Sequence, residues 1–142
     1  MILPDVNLLL YAHNSTAREH AQALRWLRSA TSGLEPFALS WEIILGFIRI
    51  ASTPKLFSRP KEVEYLVTIV DEWLSSANVV LLTPGDRHWS IFKDLLPKSR
   101  ARGPLIMDAH LAALAIEHGA TLCTNDRDFL RFPGLKVEFP LQ

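Results

Sequence analysis

The stretch from Leu105 to Asp126, LIMDAHLAALAIEHGATLCTND, limits what this chain can fold into more than any other. From Leu105 to Ile116 nearly every position is apolar, on all sides of a helix, and a helix of that kind belongs inside a protein. Yet Asp108 sits in its first turn and shares a face with Leu111, Ala112 and Ala115, at spacings of three, four and seven. Gly119 is placed to stop the helix. Ala120 to Thr124 then reads as a short apolar strand, and the chain turns polar at Asn125 and Asp126. A carboxylate in apolar surroundings is costly unless it is paired, hydrogen-bonded or bound to a metal. The rest of the chain must account for Asp108 and Asp126.

Strand and helix patterns alternate on both sides of that stretch. Ile2-Leu3 reads as a very short strand ended by Pro4, which lacks the amide donor a central ladder needs. Asp5 follows, then a short helix over Leu8 to Ala12. A second helix is expected from Thr16 to Ser32, with Ala21, Leu24 and Leu27 inward, and a second strand from Glu35 to Ser40. Ser40 is a good N-cap for a mostly apolar helix from Trp41 to Ala51, and Glu42 lies in its first turn, where the helix dipole favours an anion. Thr53 to Pro60 is the clearest loop. A helix from Lys61 to Ser75 turns Val63, Leu66, Val67, Val70, Trp73 and Leu74 inward, and Asn78 to Leu82 is a third strand. A further helix starts near Pro84-Gly85-Asp86, with Trp89, Phe92, Leu95 and Leu96 inward. After Asp126 come a short helical turn and a last strand, Leu135 to Phe139. This alternation predicts an α/β sandwich with a mainly parallel sheet and helices on both faces. At 142 residues and 49% apolar, the whole chain, 1–142, has the size of one domain with a sizeable core.

Four acids fall at element ends. Asp5 follows the first strand, Glu42 opens the helix after the second, Asp108 opens the buried helix, and Asp126 follows a late strand. In an open α/β sheet the segments beyond strand carboxyl ends converge on one edge, where ligands bind. Two of the acids have a plainer reading: Asp5 as a helix cap, Glu42 as an ordinary first-turn glutamate. If the four converge, their repulsion needs a cation, and carboxylates with water suit the hard ions Mg²⁺ and Mn²⁺. No zinc pattern competes. His13 and His20 stand seven apart, His110 and His118 eight apart, and all five histidines read as structural or surface residues. Metal-assisted hydrolysis of a phosphodiester is the chemistry such a cluster performs. It does not use the ribose 2′-hydroxyl, so the acids alone do not distinguish RNA from DNA.

The formal net charge is zero, which gives no general electrostatic grip on nucleic acid; contact with phosphates must be local. Lys98, Arg100 and Arg102, leading into the Asp108 helix, read either as a solvated loop or as phosphate contacts. The one cysteine, Cys123, excludes an intrachain disulfide and fits a reducing compartment. The amino-terminal apolar run lacks a basic flank and is too short for a signal peptide or membrane span, so a cytoplasmic protein with no membrane association is expected.

Taken in order, ILPDVNLLLYA, the isolated Glu42 on an apolar helix, IMDAHLAALAIEHGATLCTNDRDF and RFPGLKV resemble the PIN-domain proteins, and among them the VapC toxins of bacterial toxin–antitoxin pairs. The resemblance runs from Met1 to Val137. It implies a PIN-like three-layer α/β/α sandwich and a Mg²⁺- or Mn²⁺-dependent endoribonuclease. Its acidic site maps onto Asp5, Glu42, Asp108 and Asp126, with Asp5 and Asp108 the firmest metal ligands. Glu42 and Asp126 complete the cluster directly or through water. Asp128 matches an acid often found near that site, though it could equally cap a helix. Asn7 and Thr124 correspond to small polar positions that support the site by hydrogen bonding. A homodimer, an RNA substrate and a cognate antitoxin that blocks the site are implied as well. Two other readings stand beside it: a PIN-like RNA- or partner-binding module without turnover, and a phosphatase with Asp5 as nucleophile. The phosphatase reading suffers from Asn7, which stands where many such enzymes carry a second acid.

Overall fold

The computed structural model describes all 142 residues. Five short strands, β1 (Ile2–Pro4), β2 (Phe37–Ser40), β3 (Val79–Leu82), β4 (Thr121–Cys123) and β5 (Val137–Glu138), form one parallel sheet in the order β3-β2-β1-β4-β5. Six helices connect them: α1 (Val6–His13), α2 (His20–Ser32), α3 (Trp41–Ala51), α4 (Val63–Ser75), α5 (His88–Ser99) and α6 (Leu105–His118). A 3₁₀ turn, Arg127–Arg131, precedes β5. From β1 the chain steps outward to β2 and β3 through α1 to α4, then returns across the sheet through α5 and α6 to β4. Right-handed crossovers in opposite directions put the two helix groups on opposite faces. The expected three-layer sandwich follows.

The reversal has a consequence for function. β1 and β4 are neighbours whose following segments leave in different directions, so a crevice opens beyond their carboxyl ends. Asp5 directly follows β1, and Thr124 to Asp126 directly follow β4.

A cluster of 30 buried residues fills both sides of the sheet. In α6, Ala109 and Leu111 to Ala115 are all buried, as the all-round apolar pattern predicts. Gly119 closes that helix at φ 67°, a left-handed turn that a side chain would strain. No helix is long and apolar enough to cross a membrane.

Several boundaries and faces differ from the sequence expectation, each for a local reason. Helix α2 starts at His20, not Thr16, because the Asn14 side chain holds the preceding turn, accepting from the Thr16 amide and the Thr16 and Ser58 hydroxyls. It buries Ala23 and Leu27, while Ala21 faces outward. Helix α4 starts at Val63, because the Lys61 amide is held by the Ala51 carbonyl at the end of α3. Its buried face is Leu66, Ile69, Val70 and Trp73; Val63, Val67 and Leu74 are exposed. Helix α5 runs through Pro97 to Ser99, so Lys98 lies in the helix and pairs with Asp94 at 2.8 Å. Trp89, expected inward, is 66% exposed.

Candidate active site

The β1–β4 crevice gathers three of the four expected acids. Asp5 occupies the N-cap position of α1 in extended backbone, yet its carboxylate makes no cap hydrogen bond. Instead Oδ2 accepts from the Thr124 hydroxyl at 3.0 Å, and the Asp5 amide donates to the Cys123 carbonyl at 2.8 Å. The same Thr124 hydroxyl accepts from the Asp126 amide at 3.0 Å. Thr124 is completely buried and Asp5 nearly so. One hydroxyl thus ties the ends of two neighbouring strands together and aims a buried carboxylate.

Asp126 does two things. Its Oδ1 accepts from the Asp128 amide at 2.9 Å and so caps the 3₁₀ turn, while Oδ2 makes no such cap. The cap is therefore Asp126 and not Asp128, whose exposed side chain faces solvent at the edge of the group. Asn7 lines a neighbouring hollow with Tyr11, Asn14 and Arg49, leaving Thr124 as the small polar residue that binds the acids together.

The electrostatics record the crowding. Burial, the largest influence, lifts the Asp5 carboxyl above its ordinary range; the Thr124 hydroxyl and the Val6 amide pull it back, and the Asp126 charge raises it again. Asp108, half-buried in the first turn of α6, is pushed up to about 6 by burial first, then by Asp5, Asp126 and Asp128, against the opposing charge of Arg131. Asp5 and Asp108, raised by burial and by the negative charges beside them, form a site that a cation would relieve.

Glu42 is placed differently. Ser40 caps α3 by accepting from the Ile43 amide, and Glu42 stands in the first helical turn as expected. It shares with Asp5, Asp108, Arg49 and His110 a cavity of about 190 Å³. Its carboxylate lies 3.2 Å from His110 Nε2. Burial alone would raise the Glu42 carboxyl, but its own backbone amide, His110 and the Ser40 hydroxyl outweigh that and hold it low. Asp108 thus feels the charges of Asp5 and Asp126, whereas Glu42, in the same cavity as Asp5 and Asp108, faces His110.

The donor set is all oxygen, with no thiolate, which fits a hard divalent ion. No three side chains stand close enough to hold an ion by themselves. An ion here would keep several waters, as Mg²⁺ characteristically does. A larger hollow, about 640 Å³, lies between α5 and the Pro133-Gly134 turn, but its one carboxylate, Asp94, is exposed and already paired with Lys98.

The histidines also differ in their surroundings. His13 is structural: Nδ1 contacts the Leu9 carbonyl at 2.9 Å, and the ring packs edge-on against Phe47 and Trp73. His20 and His118 each contact a backbone carbonyl. His110 was expected to be structural or on the surface, but it lines the acid cavity and contacts His88. Sequence reading also missed Arg131, the cation acting on Asp108. Only the two-residue spacing from Asp108 to His110 hinted at the first, and nothing in the sequence marked the second.

Known proteins resemble this chain along nearly its whole length. A family model described as PIN domain matches residues 2–135. The chain is 41% identical over 140 residues to Ribonuclease VapC37 of Mycobacterium tuberculosis, covering 99% of this chain and 97% of that one. Its fold is similar to that of VapBC2 from Rickettsia felis bound to a promoter DNA fragment, with a TM-score of 0.67 and 23% identity, covering 97% of this chain and 98% of that one. It is also similar to a toxin–antitoxin complex from Klebsiella pneumoniae, with a TM-score of 0.63 and 22% identity over 99% and 98% of the two chains. The acids at the sheet crevice and a family match along nearly the whole length lead to one conclusion: this chain belongs to the PIN-domain family.

Proposed function

We propose that this chain is a metal-dependent endoribonuclease that acts as the toxin of a toxin–antitoxin pair. The observation that carries the reading is the group Asp5, Asp108 and Asp126 at the β1–β4 crevice, where burial first, then the charges of Asp5 and Asp126, bring Asp108 up to about 6. The relative named Ribonuclease VapC37, 41% identical along nearly the full length, supports RNA as the substrate.

Asp5, Asp108 and Asp126 would hold the metal in this reading, with Glu42 completing the cluster. A bound Mg²⁺ or Mn²⁺ would supply an acidified water and offset negative charge on the phosphoryl oxygens. The chain's own residues do the rest. Thr124 fixes the Asp5 carboxylate and, through the Asp126 amide, the position of the second acid. Glu42 faces the cavity it shares with Asp5 and Asp108 from α3 and orients water there. Arg100 and Arg102, exposed just before α6, contact substrate phosphates beyond the scissile bond.

The partners follow the same reading. A cognate antitoxin blocks the crevice, in line with similarity to a solved toxin–antitoxin complex. Exposed Trp41 and Leu45 on α3 and Tyr65 and Val67 on α4 supply apolar surface for a homodimer. The buried free thiol of Cys123 suits the reducing cytoplasm.

The test is cleavage of a panel of tRNA, rRNA fragments and mRNA by wild type and Asp108→Asn, with Mg²⁺ or Mn²⁺ and with EDTA. Cleavage is expected only in the metal-loaded wild type. Cleavage that survives both EDTA and the substitution would overturn the mechanism.

A further inference from the structure

Glu42 is the end of a chain of four side chains that crosses three helices. Its Oε1 lies 3.2 Å from His110 Nε2. His110 Nδ1 lies 2.9 Å from His88 Nε2, the two rings meeting edge-to-face. His88 Nδ1 lies 3.9 Å from Glu117 Oε1. Glu117 is itself fixed, because its two carboxylate oxygens accept from the Gly85 amide at 2.8 Å and the Arg87 amide at 3.0 Å, just before α5. Arg87 Nη2 also donates to the Glu117 carbonyl at 2.7 Å. His110 and Glu117 are seven apart on α6 and therefore share a face. Gly85 is part of the design: a Cβ there would stand 2.8 Å from Glu117 Oε2 and push the carboxylate away from the amides it binds.

The protons in this chain can be assigned. The His110–His88 contact needs one donor and one acceptor. His110 Nε2 and His88 Nδ1 are both buried and without a well-aligned partner in the chain, and each faces a carboxylate. If His110 gave its proton to His88, its bare Nε2 would face the Glu42 carboxylate at 3.2 Å, acceptor against acceptor. The reverse order puts a proton on Nε2 toward Glu42 and leaves the unfavourable contact at the longer distance, 3.9 Å, from Glu117. The shorter contact decides the order. In that order His88 Nε2–H donates to His110 Nδ1, and His110 Nε2–H points at the Glu42 carboxylate 3.2 Å away.

We propose that His110 and His88 are positioning residues that hold the Glu42 carboxylate toward the acid cavity, with Glu117 and the start of α5 as their anchor. Neither the acid set nor the family match assigns them a role. The proposal deepens the ribonuclease reading and rests on it for the part Glu42 plays. His88 touches none of Asp5, Glu42, Asp108 and Asp126, so its effect has to pass through His110. Loss of a side chain that holds a site residue by hydrogen bonding typically costs about 10–100-fold in activity.

The experiment has two parts. Long-range ¹H–¹⁵N correlation spectra of ¹⁵N-histidine-labelled, metal-free wild type at pH 8 read the tautomers directly. Both His88 and His110 are expected to carry the proton on Nε2. A proton on Nδ1 of His110 would overturn the order and the proposal with it. The second part is kinetics of His88→Ala and His88→Gln on an RNA that the wild type cleaves. The alanine variant is expected to lose about tenfold in kcat with KM unchanged, and glutamine, which keeps a donor near Nε2, to recover most of it. Wild-type kcat in His88→Ala would also overturn the proposal. If the wild type cleaves no RNA, the ribonuclease reading fails, while the tautomer spectra still decide whether the chain of donors exists.

Discussion

The Thr124 hydroxyl donates to Asp5 Oδ2 and accepts from the Asp126 amide, both at 3.0 Å, and so joins the ends of β1 and β4 through one oxygen atom. Thr124→Val keeps the shape and removes both bonds. It leaves a buried carboxylate short of one donor and an amide without its acceptor, each a desolvation cost that the native hydroxyl offsets. We expect about 2 kcal/mol of lost stability in urea melts. Thr124→Ser keeps the hydroxyl and should lose about 1 kcal/mol, from the missing methyl. Equal losses in the two variants would mean that packing, not the hydroxyl, matters at this position.

Asp108 is an acid whose site works against its own charge. Its folded value, about 6, lies above the ordinary 3.8, so the folded chain holds the proton more tightly than the unfolded one. The penalty is therefore absent at low pH, grows as pH rises from about 4 to 6, and is complete at neutral pH. Asp108→Asn removes it. Allowing for solvent screening of a half-exposed side chain, the gain is about 1 kcal/mol, or roughly 3 °C in Tm, for metal-free protein at pH 7. At pH 4 the difference should nearly vanish. A substitution that destabilises at pH 7 would mean that Asp108 has a favourable partner in the folded chain.

The same raised value makes a metal ion compete with a proton. Below pH 6 the apparent Kd for Mn²⁺ should rise about tenfold per pH unit, and between pH 7 and 8 it should be nearly flat. Fluorescence-detected titrations at four pH values would show the bend. A bend near pH 4 would place the competing proton on an unperturbed carboxyl.

Cys123 is 1% exposed in β4, and burial first, then the charges of Glu138 and Glu35, push its thiol up to about 12. Thiolate is the reactive form, so folded protein should resist a thiol-specific chromogenic reagent at pH 8 and react fully only in denaturant. Rapid reaction of folded protein would show that β4 opens readily.

Much of this architecture could be read in the sequence because each element carries its own signal. Helix α6 is apolar all round and ends at Gly119; α3 opens on Ser40 as its cap; Pro4 closes β1. Those signals are local, and so are the positions of Asp5, Glu42, Asp108 and Asp126 at element ends. Which acids meet is a property of sheet order, which periodicity does not encode. The structure brings the charges of Asp5 and Asp126 to bear on Asp108, and it faces Glu42 with His110 in the cavity shared with Asp5 and Asp108. His88 and His110 are 22 residues apart, and a contact between the start of α5 and the first turns of α6 has no periodic signature. The outward turn of Trp89 and Val67 was equally hidden, because a large apolar side chain at helical spacing looks the same whether it meets the core or the surface.

The central claim is that Asp5, Asp108 and Asp126 form a metal site. The most direct test is calorimetric titration of Mn²⁺ into metal-stripped wild type and Asp108→Asn at neutral pH. Saturable binding in the wild type that disappears in Asp108→Asn is the predicted result. Equal binding in the two proteins, or none in either, would contradict it and return Asp5 and Asp126 to the plainer roles of strand-end and cap residues.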